Sequence, residues 1–103
     1  MPSWQFLTNH AVVLLHVSSH PDSTLREISA AAGLTERAVI AIIRSLEKEG
    51  VISHSREGRN NVYEIDFPAV MKHLKGQTQP IMLEEIAALA AELAEKASQE
   101  TTD

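Results

Sequence analysis

The chain has 103 residues, 44% of them hydrophobic, contains no cysteine and carries a formal net charge of -5 at pH 7. This length suits one small domain with a single core, and the lack of cysteine excludes disulfide bridges and thiolate metal sites. No apolar run approaches the roughly 20 residues that cross a bilayer, and the N-terminus lacks a signal-peptide pattern, so we expect a cytoplasmic protein without a membrane partner.

The first predicted helix begins after Thr8, a suitable N-cap, and ends near Ser18. It is apolar on more than one face, which indicates burial on several sides or contact with a partner subunit. Pro21 disfavours helical geometry in the residue before it, so residues 18–22 predict a loop. The apolar positions of this helix are Val12, Val13, Leu14, Leu15 and Val17.

A second predicted helix covers residues 25–32. It begins with Thr24 as its N-cap and has Glu27 three residues later, which is the sequence pattern of a capping box. Gly33 follows, and glycine adopts at little cost the left-handed conformation that ends many helices. Because another helix starts immediately afterwards, the segment predicts a helix-turn-helix.

The third predicted helix is capped by Thr35 and runs to about Glu49, where Gly50 ends it. Apolar residues recur along it at spacings of three and four, which is typical of a helix that buries one face. The predicted buried residues are Val39, Ile42, Ile43 and Leu46.

Two strands are predicted next, at residues 51–56 and 61–67, with residues 57–60 as the turn between them. Alternation along the second strand indicates that one face lies on the core and the other meets water. A hairpin directly after a helix-turn-helix is a wing. The side chains that we expect on the core are Tyr63, Ile65 and Phe67.

The C-terminal part predicts a short helix from Pro68 to about Lys75, a linker at residues 76–80 and a long helix over residues 81–98. The long helix carries a short seam of the coiled-coil type. An isolated helix of this length is marginal in water, so the seam needs a surface to bury against. The residues of the seam are Met82, Ile86, Leu89 and Leu93.

The order of three helices and a two-stranded wing resembles the winged helix-turn-helix domains of prokaryotic transcriptional regulators, broadly the MarR- and ArsR-like group. The closer resemblance is to a family of small regulators of this type. It covers about residues 3–67 and is carried by residues 4–11, 25–28, 33–39, 46–50 and 58–63.

The resemblance implies a mainly α fold with a small β-hairpin. Residues 1–75 would form the winged helix-turn-helix domain, and residues 76–103 a linker and a dimerisation helix. We therefore expect a homodimer that is held by the C-terminal seam, with the first helix as a second candidate element.

The partner that the resemblance implies is double-stranded DNA, with a recognition helix at residues 35–49 in the major groove and a wing at residues 51–67 on the minor groove or backbone. Arg37 would read guanine or hold a phosphate, and Glu36 would accept a hydrogen bond from cytosine or only favour the helix dipole. The candidate DNA-binding residues are Ser23, Thr24, Thr35, Glu36, Arg37, Ile40, Ala41, Arg44, Arg56, Arg59, Asn60 and Asn61.

The other candidates have simpler roles. Arg44 suits a phosphate contact, and Ile40 offers only apolar contact, for example with a thymine methyl group, as does Ala41. Arg56 and Arg59 would straddle the minor groove, with hydrogen bonds from the two asparagines that follow. Ser23, Thr24 and Thr35 would bind backbone phosphates, although the two threonines are also needed as caps. Relatives usually carry polar or basic residues where Ile40 and Ala41 stand, and more basic residues in the wing.

Charge keeps an alternative open, because residues 1–67 hold 6 Lys and Arg against 8 Asp and Glu. An acidic winged helix suits protein docking as well as DNA binding. A ligand or metal sensor is a weaker alternative, since His16 and His20 lie four apart but Pro21 interrupts the helix and no carboxylate completes a metal site nearby. No phosphate loop, serine elbow or paired-acid motif is present, so we predict no enzyme activity, no catalytic residue and no cofactor.

Overall fold

A computed structural model of the chain describes residues 5–76 and 83–100. In these ranges the element order is α1 (Asn9–Ser19), α2 (Leu25–Ala32), α3 (Glu36–Lys48), β1 (Ile52–Glu57), β2 (Asn60–Ile65), α4 (Phe67–Lys75) and α5 (Leu83–Glu100). The chain divides into two compact units, Met1–Val70 and Met71–Asp103, and α4 crosses the boundary. The mainly α fold with one antiparallel hairpin is a winged helix-turn-helix, which confirms the predicted fold class.

Threonine side chains fix the starts of the first three helices. The Thr8 hydroxyl accepts a hydrogen bond from the Ala11 N–H at 3.1 Å, and the Thr35 hydroxyl accepts one from the Ala38 N–H at 3.1 Å. Each bond satisfies a backbone donor that has no partner within its helix. Thr24 does the same for α2, so all three predicted caps are present.

The turn between α2 and α3 needs a glycine. Gly33 has a φ of 68° and ends α2 in the left-handed conformation. A Cβ atom at this position would meet nothing within 4 Å, so the preference for glycine comes from the backbone conformation alone. The helix-turn-helix therefore has the boundaries that its caps and glycine predicted.

The core of the first unit lies where α1, α2 and α3 pack on one another and on the hairpin. Burying an aliphatic side chain contributes about 1.5–3 kcal/mol relative to leaving it exposed, so this cluster dominates the stability of the unit. Its fully buried members are Val13, Val17, Ile28 and Val39. The remaining members are Ile42, Ile43, Leu46, Val51, Ile52 and Tyr63, which include the whole predicted stripe of α3.

α1 is buried on one side only. Val13 and Val17 are inaccessible to solvent and Leu14 packs against the core, whereas Leu15 is 56% exposed. Leu15 thus lies on an outer face of α1 that the described part of the chain leaves uncovered.

The hairpin closes through a two-residue turn, Gly58 and Arg59, with Glu57 paired to Asn60. Gly58 has a φ of 65°, and no residue other than glycine has a positive φ in the described part of the chain. A glycine of positive φ at the first turn position is typical of the type II′ hairpin. The Tyr63 N–H donates to the Pro21 carbonyl at 2.8 Å, so the loop before α2 also holds β2.

The second strand ends two residues before its predicted end. The Asp66 carboxylate accepts a hydrogen bond from the Ala69 N–H at 3.0 Å, and its carbonyl accepts one from the Val70 N–H, which makes it the N-cap of α4. Phe67 is then the first residue of α4 and is 66% exposed. The prediction that Phe67 faces the core at the end of a strand was wrong, because the helix start at Asp66 interrupts the alternation.

In the second unit, α5 covers the predicted long helix and has no buried residue. The carboxylates of Glu84 and Glu85 in its first turn interact favourably with the positive end of the helix dipole. Its apolar side chains are exposed to 38% at Ile86, 60% at Leu89 and 59% at Leu93. Residues 77–80 of the predicted linker and the first two residues of the predicted long helix, 81 and 82, lie outside the described residues; the second of these is Met82 of the predicted seam. None of the helices in the described ranges is long and apolar enough to cross a membrane.

Candidate nucleic-acid interface

The predicted recognition helix, α3, presents two neighbouring strips of side chains. Glu36, Ile40 and Arg44 follow one another at intervals of four residues and line the clefts between α3 and its neighbours. Arg37 and Ala41 are one turn apart, are exposed, and line neither of these clefts. The first strip therefore borders the two clefts, whereas the second faces solvent away from them.

One cleft of about 300 Å³, which we call the tip cleft, lies where the starts of α2 and α3 meet the wing. It brings together half of the predicted DNA-binding residues, from the starts of α2 and α3 and from the turn of the wing. The residues that line the tip cleft are Ser23, Thr24, Leu25, Arg26, Glu36, Arg59, Asn60, Asn61 and Tyr63.

A second cleft of about 130 Å³, which we call the flank cleft, lies between α3 and the hairpin. Predicted residues that line it are Ile40, Arg44 and Asn61. The His54 imidazole of β1 and the Glu47 carboxylate of α3 are paired beside it through His54 Nδ1. This contact joins the recognition helix to the wing at the end remote from the tip cleft.

The hydroxyl of Ser23 is used inside the protein. Ser23 is only 8% exposed, and its Oγ lies 3.0 Å from His16 Nε2. The His16 ring is in turn stacked on that of His20, with centroids 4.7 Å apart. A phosphate contact by the Ser23 hydroxyl would have to compete with this imidazole. The described residues contain no group of three His, Cys, Asp or Glu side chains that could hold a metal ion.

Thr24 and Glu27 form the predicted capping box. The Thr24 hydroxyl accepts from the Glu27 N–H at 3.1 Å, and the Thr24 N–H donates to the Glu27 carboxylate at 2.8 Å. These bonds, first of all that from the Thr24 backbone N–H, hold the pKa of Glu27 below its ordinary value. Because the Thr24 hydroxyl acts as an acceptor here, its proton can still be donated to a phosphate oxygen. The same holds for Thr35, whose hydroxyl accepts from Ala38.

The predicted arginines Arg37, Arg44, Arg56 and Arg59 are all exposed. Within residues 5–76 and 83–100, none of them forms an ion pair. Arg56 lines neither cleft and is paired with Asn61 across the hairpin. All four cationic side chains are therefore accessible, but only Arg44 and Arg59 line one of the two clefts.

Arg26 lines the tip cleft although it is not among the predicted DNA-binding residues. It lies in the first turn of α2, where the helix dipole disfavours a cation, and this unusual placement is a signal that sequence reasoning could have used. His54 and Glu47 were also missed. Their contact depends on where β1 crosses α3, which no local sequence pattern reveals.

Comparisons with known proteins agree with this geometry. Residues 12–53 match a family model described as winged helix-turn-helix DNA-binding. A comparison with the curated proteins gives no match.

Solved structures of the same fold include a mutant of MepR from Staphylococcus aureus, with a TM-score of 0.55 and 17% identity over 91% of this chain and 80% of that one. A MepR mutant bound to an oligodeoxyribonucleotide has a TM-score of 0.52 and 18% identity over 89% and 78%. A MarR family transcriptional regulator from Silicibacter pomeroyi has a TM-score of 0.51 and 14% identity over 93% and 72%. By its fold, the chain carries a winged helix-turn-helix domain.

Proposed function

We propose that the protein is a sequence-specific transcriptional regulator that binds double-stranded DNA with α3 in the major groove and the wing on the minor groove or backbone. The observation that carries the proposal is the tip cleft, which unites the starts of two helices with the turn of the wing. A groove-reading helix and a flanking wing are the two parts that such domains apply to duplex DNA. The MepR mutant bound to an oligonucleotide shares this fold.

Within this proposal, Arg37 reads a base edge and Arg44 holds a phosphate. Arg37 is exposed in the first turn of α3, the part of a recognition helix that comes closest to the bases. Arg59 and Asn60, at the turn of the wing, contact the minor groove or the backbone. Ile40 is half-buried beside the flank cleft, so it offers the bases at most an apolar edge.

A homodimer completes the proposal. One helix and one wing bury little DNA surface, and regulators of this kind gain affinity from two half-sites about one helical turn apart. The exposed seam of Ile86, Leu89 and Leu93 on α5 is the proposed dimer contact. The protein would act in the cytoplasm, where it meets DNA, and its activity would be binding rather than catalysis.

The experiment that tests the proposal is selection of bound sequences from a random duplex pool, followed by affinity measurements on the selected duplex at 50–200 mM salt, a range in which phosphate contacts weaken steeply. We expect a two-half-site consensus, and we expect the logarithm of the binding constant to fall linearly with the logarithm of the salt concentration. Absence of binding at low salt would refute DNA binding and favour protein docking, which the net charge of -5 also suits.

Two substitutions separate base reading from phosphate contact. Arg37→Ala should lower affinity by about 1–3 kcal/mol for the selected duplex and relax the preference at one base position. Arg59→Ala should weaken binding to all duplexes alike and reduce the salt slope by about 1. If the two variants bind as the unmodified protein does, the residue assignments are wrong even where DNA binding itself is found.

A further inference from the structure

We infer that Arg26 is a further DNA contact, which holds one backbone strand of the duplex in the tip cleft opposite Arg59. The inference rests on the proposed function and deepens it, because it adds a phosphate contact from the supporting helix α2. Arg26 lies in one of the stretches that carry the family resemblance, residues 25–28, but none of the roles assigned above includes it.

The placement of Arg26 is the first argument. Arg26 is the second residue of α2, is exposed, and lines the same cleft as Arg59, which lies in the two-residue turn of the wing. The two arginines therefore line one cleft from different elements. Glu36 is the carboxylate that lines it with them, so the two arginines leave the cleft with a net positive charge.

The backbone that carries Arg26 is held firmly. The capping box closes the first turn of α2 through bonds of 3.1 and 2.8 Å between Thr24 and Glu27. Directly before it, the buried Ser23 is bonded to His16 of α1. A cationic side chain on a fixed backbone loses less conformational freedom on binding than one on a mobile loop.

Electrostatics within the protein does not explain an arginine at this position. A cation in the first turn of a helix is opposed by the helix dipole, and within residues 5–76 and 83–100 no ion pair compensates Arg26. An anionic ligand would supply the missing compensation. Phosphodiester oxygens fit better than an acidic peptide, because the hydroxyl of Thr24 and the amides of Asn60 and Asn61 line the same cleft and are typical phosphate donors.

The test compares Arg26→Gln with Arg26→Lys on the selected duplex and on an unrelated duplex. We expect Arg26→Gln to weaken binding to both duplexes about tenfold, the effect of losing one charge-assisted hydrogen bond. It should also reduce the salt slope by about 0.9. Arg26→Lys should restore most of the affinity, and Lys96→Gln on α5, which removes the same charge elsewhere, should leave it unchanged.

The unfolding midpoint provides a second readout. Arg26→Gln should leave the Tm unchanged or raise it, because the substitution removes a cation from the first turn of α2. A lower Tm together with an affinity loss that Arg26→Lys does not rescue would show a structural role and overturn the inference.

Two further outcomes distinguish this inference from the proposed function. If Arg26→Gln binds duplex DNA with the affinity and salt slope of the unmodified protein, Arg26 is not a contact while the proposed function stands. If a poly-glutamate peptide binds the unmodified protein but not Arg26→Gln, and duplex binding is unaffected, the cleft serves a protein ligand and the inference is overturned. Failure of the unmodified protein to bind any duplex would refute both.

Discussion

The Glu27 carboxylate couples the stability of α2 to pH. Its hydrogen bond from the Thr24 backbone N–H is the main cause of a pKa below the ordinary value of 4.5, followed by the Thr24 side chain and the charges of His16 and His20. Since the folded state favours the ionised form, the stabilisation is fully present above the pKa of the unfolded chain. It is lost as pH falls through the lowered pKa of the folded state.

We predict that Glu27→Gln removes this part of the acid sensitivity. Glutamine can still close a capping box, so the helix keeps its N-terminal bond while the titrating group is gone. Urea unfolding at a series of pH values between 7 and 3 measures the effect. The free energy of unfolding of the variant should fall less over this range than that of the unmodified protein.

Thr24→Ala is the companion variant for this experiment. It removes the hydroxyl and costs about 1 kcal/mol as a lost N-cap, but it leaves the backbone N–H that chiefly lowers the pKa of Glu27. Part of the acid sensitivity should therefore survive in Thr24→Ala. If Glu27→Gln instead followed the pH curve of the unmodified protein, the assignment of the carboxylate would be contradicted.

At this scale, the sequence predicts contacts between neighbours in the chain and misses the others. The caps at Thr8, Thr24 and Thr35 were predictable because each bond joins residues three apart. The bond between Ser23 and His16 spans seven residues and a loop, so nothing in the sequence indicated that this serine is buried. Arg26 was overlooked for a related reason, since only the fold brings the start of α2 and the turn of the wing to the same cleft.

Among the elements, α2 contributes one buried side chain to the core, Ile28, while Leu25 and Ala32 pack against it from partly buried positions. Ile28 is its only residue with no solvent exposure and packs in the cluster that α1 and α3 share. We predict that Ile28→Ala costs about 2–5 kcal/mol in the free energy of unfolding, since it removes buried methyl groups and leaves a cavity. Chemical denaturation followed by circular dichroism measures this loss.

The matched control is Ile40→Ala, which makes the same change at a half-buried position of α3. It should cost about 1 kcal/mol or less, because fewer packed atoms are lost and solvent can fill the space. Equal losses in the two variants would show that α2 does not contribute to the core as described. The comparison also separates an effect on stability from an effect on DNA binding, because Ile40 is a candidate DNA-binding residue and Ile28 is not.

The hairpin shows how signals from different elements compete. Alternation from Tyr63 through Ile65 to Phe67 predicted a strand, and the first two of these side chains do pack in or against the core. Asp66 starts a helix by accepting a hydrogen bond from the Ala69 N–H. The strand therefore ends there, although the alternation of apolar residues continues as far as Phe67. Short strands followed directly by a capping residue are therefore where a periodic pattern misplaces a boundary.

The whole molecule is acidic, with a net charge of -5, although its proposed partner is a polyanion. The excess of acid is greatest in the C-terminal third, where residues 68–103 hold 3 Lys and Arg against 6 Asp and Glu. Local clusters decide a short-range contact, because charges beyond about 10 Å are largely screened at 0.1 M salt. The two arginines that line the tip cleft can therefore attract DNA although the net charge of the whole chain is negative.

The proposed homodimer contact lies on α5. Ile86, Leu89 and Leu93 lie on one side of α5 and are exposed, and a helix of this kind is stable only when its apolar side is covered. We predict that Leu89→Asp converts a dimer into a monomer, because association would bury an unpaired carboxylate among apolar side chains. Sedimentation equilibrium measures the mass directly.

Ala91→Asp is the control, because it places the same charge on the opposite side of the same helix, about half a turn away. It should remain a dimer. The monomeric Leu89→Asp should bind a duplex with one half-site as the unmodified protein does, yet lose affinity for the two-half-site duplex, since only the dimer engages both sites at once. A Leu89→Asp protein with the mass of the unmodified protein would refute α5 as the dimer contact. The two-half-site target would then require another surface, and the second predicted dimer element, α1, exposes Leu15.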